Sequence, residues 1–122
     1  MNEEQLLKTG ERINQLFSTD IKIIQNSEVF SYSVDSVLLS RFPRFPKNGL
    51  IVDFCAGNGA VGLFASSRTK AKILSVEIQE RLADMAERSV HLNGLDGQMQ
   101  VICDDLKNMP SHIQGSKVDL IL

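Results

Sequence analysis

Short apolar blocks separated by longer mixed stretches organise most of this chain. The run from Gly49 to Val52 leads into Asp53-Phe54-Cys55-Ala56-Gly57-Asn58-Gly59, and a second apolar block begins at Ala60. That order predicts a buried strand, a tight glycine turn and a helix over Ala60 to Ser67. Ala71 to Val76 reads as the next strand, ending in Glu77. From Gln79 to Asn93 the period changes. Leu82, Met85, Ala86 and Val90 form an apolar stripe at helical spacing, Asp84 and Arg88 form an i,i+4 pair of opposite charge, and Asn93-Gly94 is a helix stop. Met99 to Cys103 is a third strand, Leu106 to Met109 a helical turn before Pro110, Ser111 to Ser116 a loop, and Lys117 to Leu122 a fourth strand. Strands alternating with helices predict an α/β fold with a mostly parallel sheet and helices on its faces.

The first part of the chain is less regular. Leu6, Leu7, Ile13, Leu16 and Phe17 suggest two short helical turns broken near Gly10, and Ile21 to Gln25 suggests a strand with Val29 to Tyr32 as its hairpin partner. Ser33 to Phe42 reads as a helix with Ser33 as its N-cap and Val34, Val37, Leu38 and Phe42 on one face, stopped by Pro43. The sequence thus divides into an N-terminal helix and hairpin extension, 1–47, and a sheet-bearing portion, 48–122.

Ligands of such sheets sit beyond the carboxyl ends of the strands. Asp53, Glu77 and Asp104 all fall at or just past predicted strand ends. Gly57, Gly59 and Gly62 satisfy the dinucleotide-binding spacing, and Glu77 lies 18 residues after Gly59, where a carboxylate accepts hydrogen bonds from ribose hydroxyls. A rim of Asp53, Glu77, Asp104 and Asp105 would repel a pyrophosphate. It suits a ligand that carries an ammonium, a sulfonium and a ribose, and S-adenosylmethionine has all three. Asp104 is placed to accept from an adenine amine, and Asp105 to cap the short helix that follows.

Composition narrows the class further. The chain has 122 residues, enough for one domain, and a formal net charge of -2, so the totals carry no nucleic-acid signal, although a local basic face is compatible with them. Cys55 and Cys103 lack partners at zinc-ligand spacing and fit a reducing cytoplasm; Cys55 reads as a small turn residue and Cys103 as core. His91 and His112 are lone histidines without an evident catalytic or metal role. No apolar run approaches the ~20 residues that span a membrane.

Together, Asp53 to Leu63, Val76-Glu77-Ile78, His91-Leu92-Asn93-Gly94-Leu95 and Cys103-Asp104-Asp105-Leu106 resemble class I S-adenosylmethionine-dependent methyltransferases. The segment Phe30 to Leu39 resembles the bacterial small-domain type, similar to enzymes that methylate the exocyclic amine of adenine 37 in valine tRNA. The resemblance implies a Rossmann-like fold, S-adenosylmethionine as cofactor, no metal, and a nucleic-acid substrate, tRNA foremost. It implies that Asp53 with Ala56, Gly57, Asn58 and Gly59 holds the methionine part, Glu77 the ribose with Ile78 beside it, and Asp104 and Asp105 the adenine. Tyr32, Ser33 and Asp35 would close the methionine end. Cys55 stands where the family's loop has its first glycine. The family's Asn-Pro-Pro-Tyr after the fourth strand is absent from these 122 residues, so no catalytic residue is assigned, the isolated chain is expected to be inactive, and the sheet is expected to be truncated after that strand. An exposed last strand would then favour self-association. A nicotinamide-dependent oxidoreductase fragment and a non-catalytic binding module of the same fold are the competing readings; cofactor titration separates the first, and a following Asn-Pro-Pro-Tyr the second.

Overall fold

The computed structural model describes residues 2–16, 19–26, 28 and 33–122. Its elements are β1 (Arg12–Gln15), β2 (Lys22–Gln25), α1 (Val34–Arg41), β3 (Leu50–Phe54), α2 (Ala60–Ser66), β4 (Lys72–Glu77), α3 (Glu80–Leu92), β5 (Met99–Cys103), α4 (Met109–His112) and β6 (Leu120–Ile121). Single 3-10 turns occur at Glu3–Leu6 and Leu106–Asn108. Four parallel strands form the main sheet in the order β5-β4-β3-β6, with Val52 opposite Leu74 and Ile121, and Glu77 opposite Cys103. The parallel α/β expectation holds. The fourth strand is shorter than the sequence suggests and lies at the sheet's edge.

Successive strand residues point to opposite faces, and the core divides accordingly. Ile51, Ile73 and Met99 pack with Leu63 and Phe64 of α2, Val90 of α3, and Leu16 and Ile23. Val52, Leu74 and Val76 face the other way and meet Met109 of α4. The predicted stripe of α3 is buried as expected, and the Asp84–Arg88 pair forms at 2.9 Å.

Three expectations need correction. The helical turns predicted up to residue 17 give way, after the 3-10 turn, to β1, which pairs antiparallel with β2, Ile13 opposite Ile24. The cause is tertiary. Leu6, Leu7 and Ile13 join Ile24, Leu82 and Met85 in one cluster, and the Asn93 amide clamps Lys22, accepting from its N–H at 2.8 Å and donating to its carbonyl at 2.6 Å. The proposed hairpin partner, Val29 to Tyr32, lies outside the described residues, as does Phe17. Second, α1 buries Ser40 and half-buries Val37 against the core side, while Val34, Leu38 and Phe42 are exposed; Ser33 has extended backbone ahead of the helix, but among the described residues its hydroxyl makes no capping bond. Third, Cys103 is exposed, because its place at the end of β5 lies past the covering helix, and the loop expected from Ser111 begins inside α4. Among the described residues no helix is long and apolar enough to cross a membrane.

Candidate functional site

The carboxyl ends of β3, β4 and β5 converge on one cleft of about 310 Å³, lined by Cys55, Val76, Glu77, Ile78, Gln79, Asp104, Asp105 and Leu106. The loop after β3 forms one wall. Cys55, Gly57 and Gly59 have φ of 55°, 58° and 88°, so the chain turns through left-handed backbone at every second residue. Glycine takes that conformation without steric cost, whereas Cys55 does so with a Cβ. Gly59 and Gly62 matter for a second reason. A Cβ on Gly59 would stand 3.1 Å from the Ala86 Cβ, and one on Gly62 would stand 2.8 Å from the Met99 Cε, so both let α2 approach α3 and the sheet closely.

Glu77 anchors the site. It is only 6% exposed, and its two carboxylate oxygens accept from the Gly57 N–H at 2.9 Å and the Gln79 N–H at 2.8 Å. Strand β4 is thereby tied to both the glycine loop and the start of α3. Each oxygen keeps further acceptor capacity. Asp53, at the end of β3, is 3% exposed, and among the described residues its Oδ2 has no hydrogen-bond partner. Burial, with the nearby Glu77 charge second, pushes its carboxyl up to about 7. A buried carboxylate without a partner is costly, and a cationic group would relieve that cost.

Asp104 is held from three sides. Its Oδ1 accepts from the Asp105 N–H and from Asn108 Nδ2, each at 2.7 Å, and its Oδ2 lies 2.8 Å from His112 Nε2. The His112 bond foremost, then Asn108 and the Asp105 N–H, draws its carboxyl down to about 2. Asp105 caps the 3-10 turn by accepting from the Lys107 N–H, as predicted. Ile78, 62% exposed, and Leu106 give the cleft apolar surface beside the carboxylates.

Of the residues singled out in the sequence, the structure brings Glu77, Ile78, Asp104 and Asp105 to the cleft together with Cys55. Gly57 reaches it through its bond to Glu77. Ala56 and Asn58 are buried in the loop, and the Asn58 side chain turns inward toward the Ile24 carbonyl rather than to the cleft. Ser33 and Asp35 are exposed at the start of α1 and do not line it; Tyr32 lies outside the described residues. The sequence alone sets His112 aside as a lone histidine and does not single out Leu106 or Asn108 as site residues. The signal for Asn108 and His112 was available, since Asp104, Asn108 and His112 recur every fourth residue, which stacks them on one side of a helical segment. Among the described residues no group of acids, histidines and cysteines could hold a metal ion.

A parallel sheet with a glycine turn after its first strand, an acid ending the second and an acid just past the third defines the Rossmann-like fold of the class I methyltransferases. Solved structures agree on the fold: P. horikoshii TYW2 in complex with MeSAdo superposes with a TM-score of 0.69 at 19% identity, over 83% of this chain and 38% of that one. M. capricolum TrmK in complex with S-adenosyl-homocysteine does so with a TM-score of 0.61 at 14% identity, over 74% and 39%. The Methyltransferase small domain family matches residues 20–122, and the chain belongs to that family. Curated relatives include the tRNA1(Val) (adenine(37)-N6)-methyltransferases of Shewanella halifaxensis, 27% identical over 90 residues, and of Bacteroides fragilis, 25% identical over 88 residues. These matches cover 74% and 72% of this chain, which spans 37% of the length of each relative.

Proposed function

We propose that this chain supplies the cofactor-binding part of an enzyme that methylates the exocyclic amine of an adenine in tRNA. The observation that carries the cofactor part is the Glu77 carboxylate, fixed by the Gly57 and Gln79 N–H groups at the end of β4 with the cleft beside it. S-adenosylmethionine, when bound, supplies a methyl group on a positive sulfonium. Glu77 uses its remaining acceptor capacity for the ribose hydroxyls. The unpartnered Asp53 and the turn through Gly57 and Gly59 hold the methionine part, where the ammonium offsets the buried carboxylate charge. Asp104 accepts from the adenine amine beside the Asp105 main chain, with Ile78 and Leu106 as apolar flanks for the ring.

These residues hold and orient; they transfer no proton to or from the reacting atoms. Placing the cofactor methyl in line with an incoming amine lowers the barrier chiefly by proximity. The adenine target and tRNA come from the relatives, both tRNA1(Val) adenine-37 enzymes, and the residues that grip the amine are not assigned to this chain.

The test is methyl transfer. The protein is incubated with methyl-labelled S-adenosylmethionine and unmodified valine tRNA, and the RNA is digested and its nucleosides separated. Label in N6-methyladenosine is the expected result for the enzyme carrying this domain. Label in another nucleoside, or in protein, would contradict the adenine reading.

A further inference from the structure

The charges of this protein are segregated in a way its small net charge conceals. Between Ser36 and Val76 lie six of the thirteen Lys and Arg residues, while the only acid there is Asp53, which is buried. Five of those cations, Arg41, Arg44, Lys47, Arg68 and Lys70, are exposed, and among the described residues none of them has an acidic partner. They come from the end of α1 and from the segments leading into the amino ends of β3 and β4, at the opposite end of the strands from the cofactor cleft.

The two loops are bound to each other. The Thr69 hydroxyl donates to the Pro46 carbonyl and accepts from the Ala71 N–H at 3.1 Å, and Gln98 Nε2 donates to the carbonyls of Thr69 and Ala71 at 2.6 and 3.1 Å. The Arg68 guanidinium lies 5.4 Å over the Phe45 ring and donates to the Ser40 carbonyl at 3.1 Å. The result is an ordered concavity of about 440 Å³ lined by Lys47, Ser66, Ser67, Arg68, Thr69 and Lys70. Phe42, 88% exposed, follows Arg41 at the end of α1.

Cations at two helix ends also complement the helix dipoles, but dipole complementarity does not require five of them without an acid between them. It does not account for a fully exposed aromatic either.

We propose that this basic face is a docking surface for the phosphodiester backbone of a nucleic acid, RNA on the functional reading given above. Unpaired Lys and Arg on a rigid concave frame meet successive phosphates and release their counterions. Phe42 offers a stacking surface for an unpaired base beside them.

The test is titration of a labelled valine tRNA transcript and of a duplex DNA with the protein across 50 to 200 mM salt, alongside a variant carrying Arg44→Ala, Lys47→Ala and Lys70→Ala. Among the described residues these three side chains make no hydrogen bond or ion pair, and Arg68 is left in place to preserve its packing. The expected result is a loss of roughly tenfold or more in nucleic-acid affinity and a salt slope shallower by about three, with S-adenosylmethionine affinity unchanged. Preference for tRNA or for duplex assigns the face to RNA or DNA. Equal binding by the variant and the wild type, or no binding by the wild type, would overturn the proposal. So would capture by anionic vesicles but not by nucleic acid. Loss of cofactor binding with intact, variant-sensitive RNA binding would instead refute the cofactor assignment and leave this face standing.

Discussion

Asp53 carries the sharpest conflict in the molecule, a carboxyl that is buried, unpartnered on Oδ2 and raised to about 7 by burial and by Glu77. An acid whose folded pKa lies above its unfolded value contributes stability that is fully present below about pH 4 and is lost as the pH rises through about 7. Thermal melts of the free protein should therefore show stability falling by roughly 2–4 kcal/mol between pH 4 and pH 8 from this group, and Asp53→Asn should flatten that slope. The ammonium of S-adenosylmethionine favours the ionised form, so wild-type cofactor affinity should rise over pH 5.5 to 7.5 while that of the variant stays level. A pH slope unchanged by Asp53→Asn would remove Asp53 from this role. In the sequence, Asp53 and Glu77 were legible as strand-end acids beside a glycine turn. The number of bonds already taken by Glu77, and the clasp of Asn108 and His112 on Asp104, were not, because both depend on how the elements pack.

Helix α3 is the element on which the rest is hung. Its apolar stripe made it readable from spacing alone, and the structure keeps every member of that stripe buried. Its polar side does what periodicity does not reveal. Arg88 bridges Glu11 in bidentate fashion at 2.5 and 2.7 Å, reaches the Leu6 carbonyl at 2.6 Å and pairs with Asp84, while the Glu11 side chain is 1% exposed. Ser89 Oγ accepts from the Ile24 N–H at 2.9 Å. These contacts hold the β1–β2 pair against α3, which is why residues with a loosely helical pattern become a strand. Arg88→Ala would leave Glu11 buried without its cation, and chemical denaturation should report a loss of about 3–5 kcal/mol. Because the Arg88 hydrogen bond holds the Glu11 carboxyl below its usual value, its contribution is present above about pH 4.5 and lost as the pH falls further. A change under 1 kcal/mol would show the network to be dispensable. Helix α1 shows the opposite case: its apolar residues suggest burial, yet Val34, Leu38 and Phe42 face outward, since Val37 and Ser40 already supply its contact with the core side.

For the molecule as a whole, the strand order β5-β4-β3-β6 separates two ends with different chemistry. The carboxyl ends bring Glu77, Asp104 and Asp105 to one cleft beside the glycine loop, and the amino ends gather the exposed cations. Parallel strands impose this division, because every β-to-α turn lies at one end and every α-to-β turn at the other. The rest follows from the proposal that the acidic end binds S-adenosylmethionine through Glu77. It is tested most directly by calorimetric titration of the purified protein with S-adenosylmethionine, S-adenosylhomocysteine and NAD, with Glu77→Ala beside the wild type. The first two are expected to bind and NAD is not, with binding lost in the variant while its circular dichroism remains that of the folded chain. Binding of NAD in preference, or S-adenosylmethionine affinity retained by a folded Glu77→Ala, would contradict it.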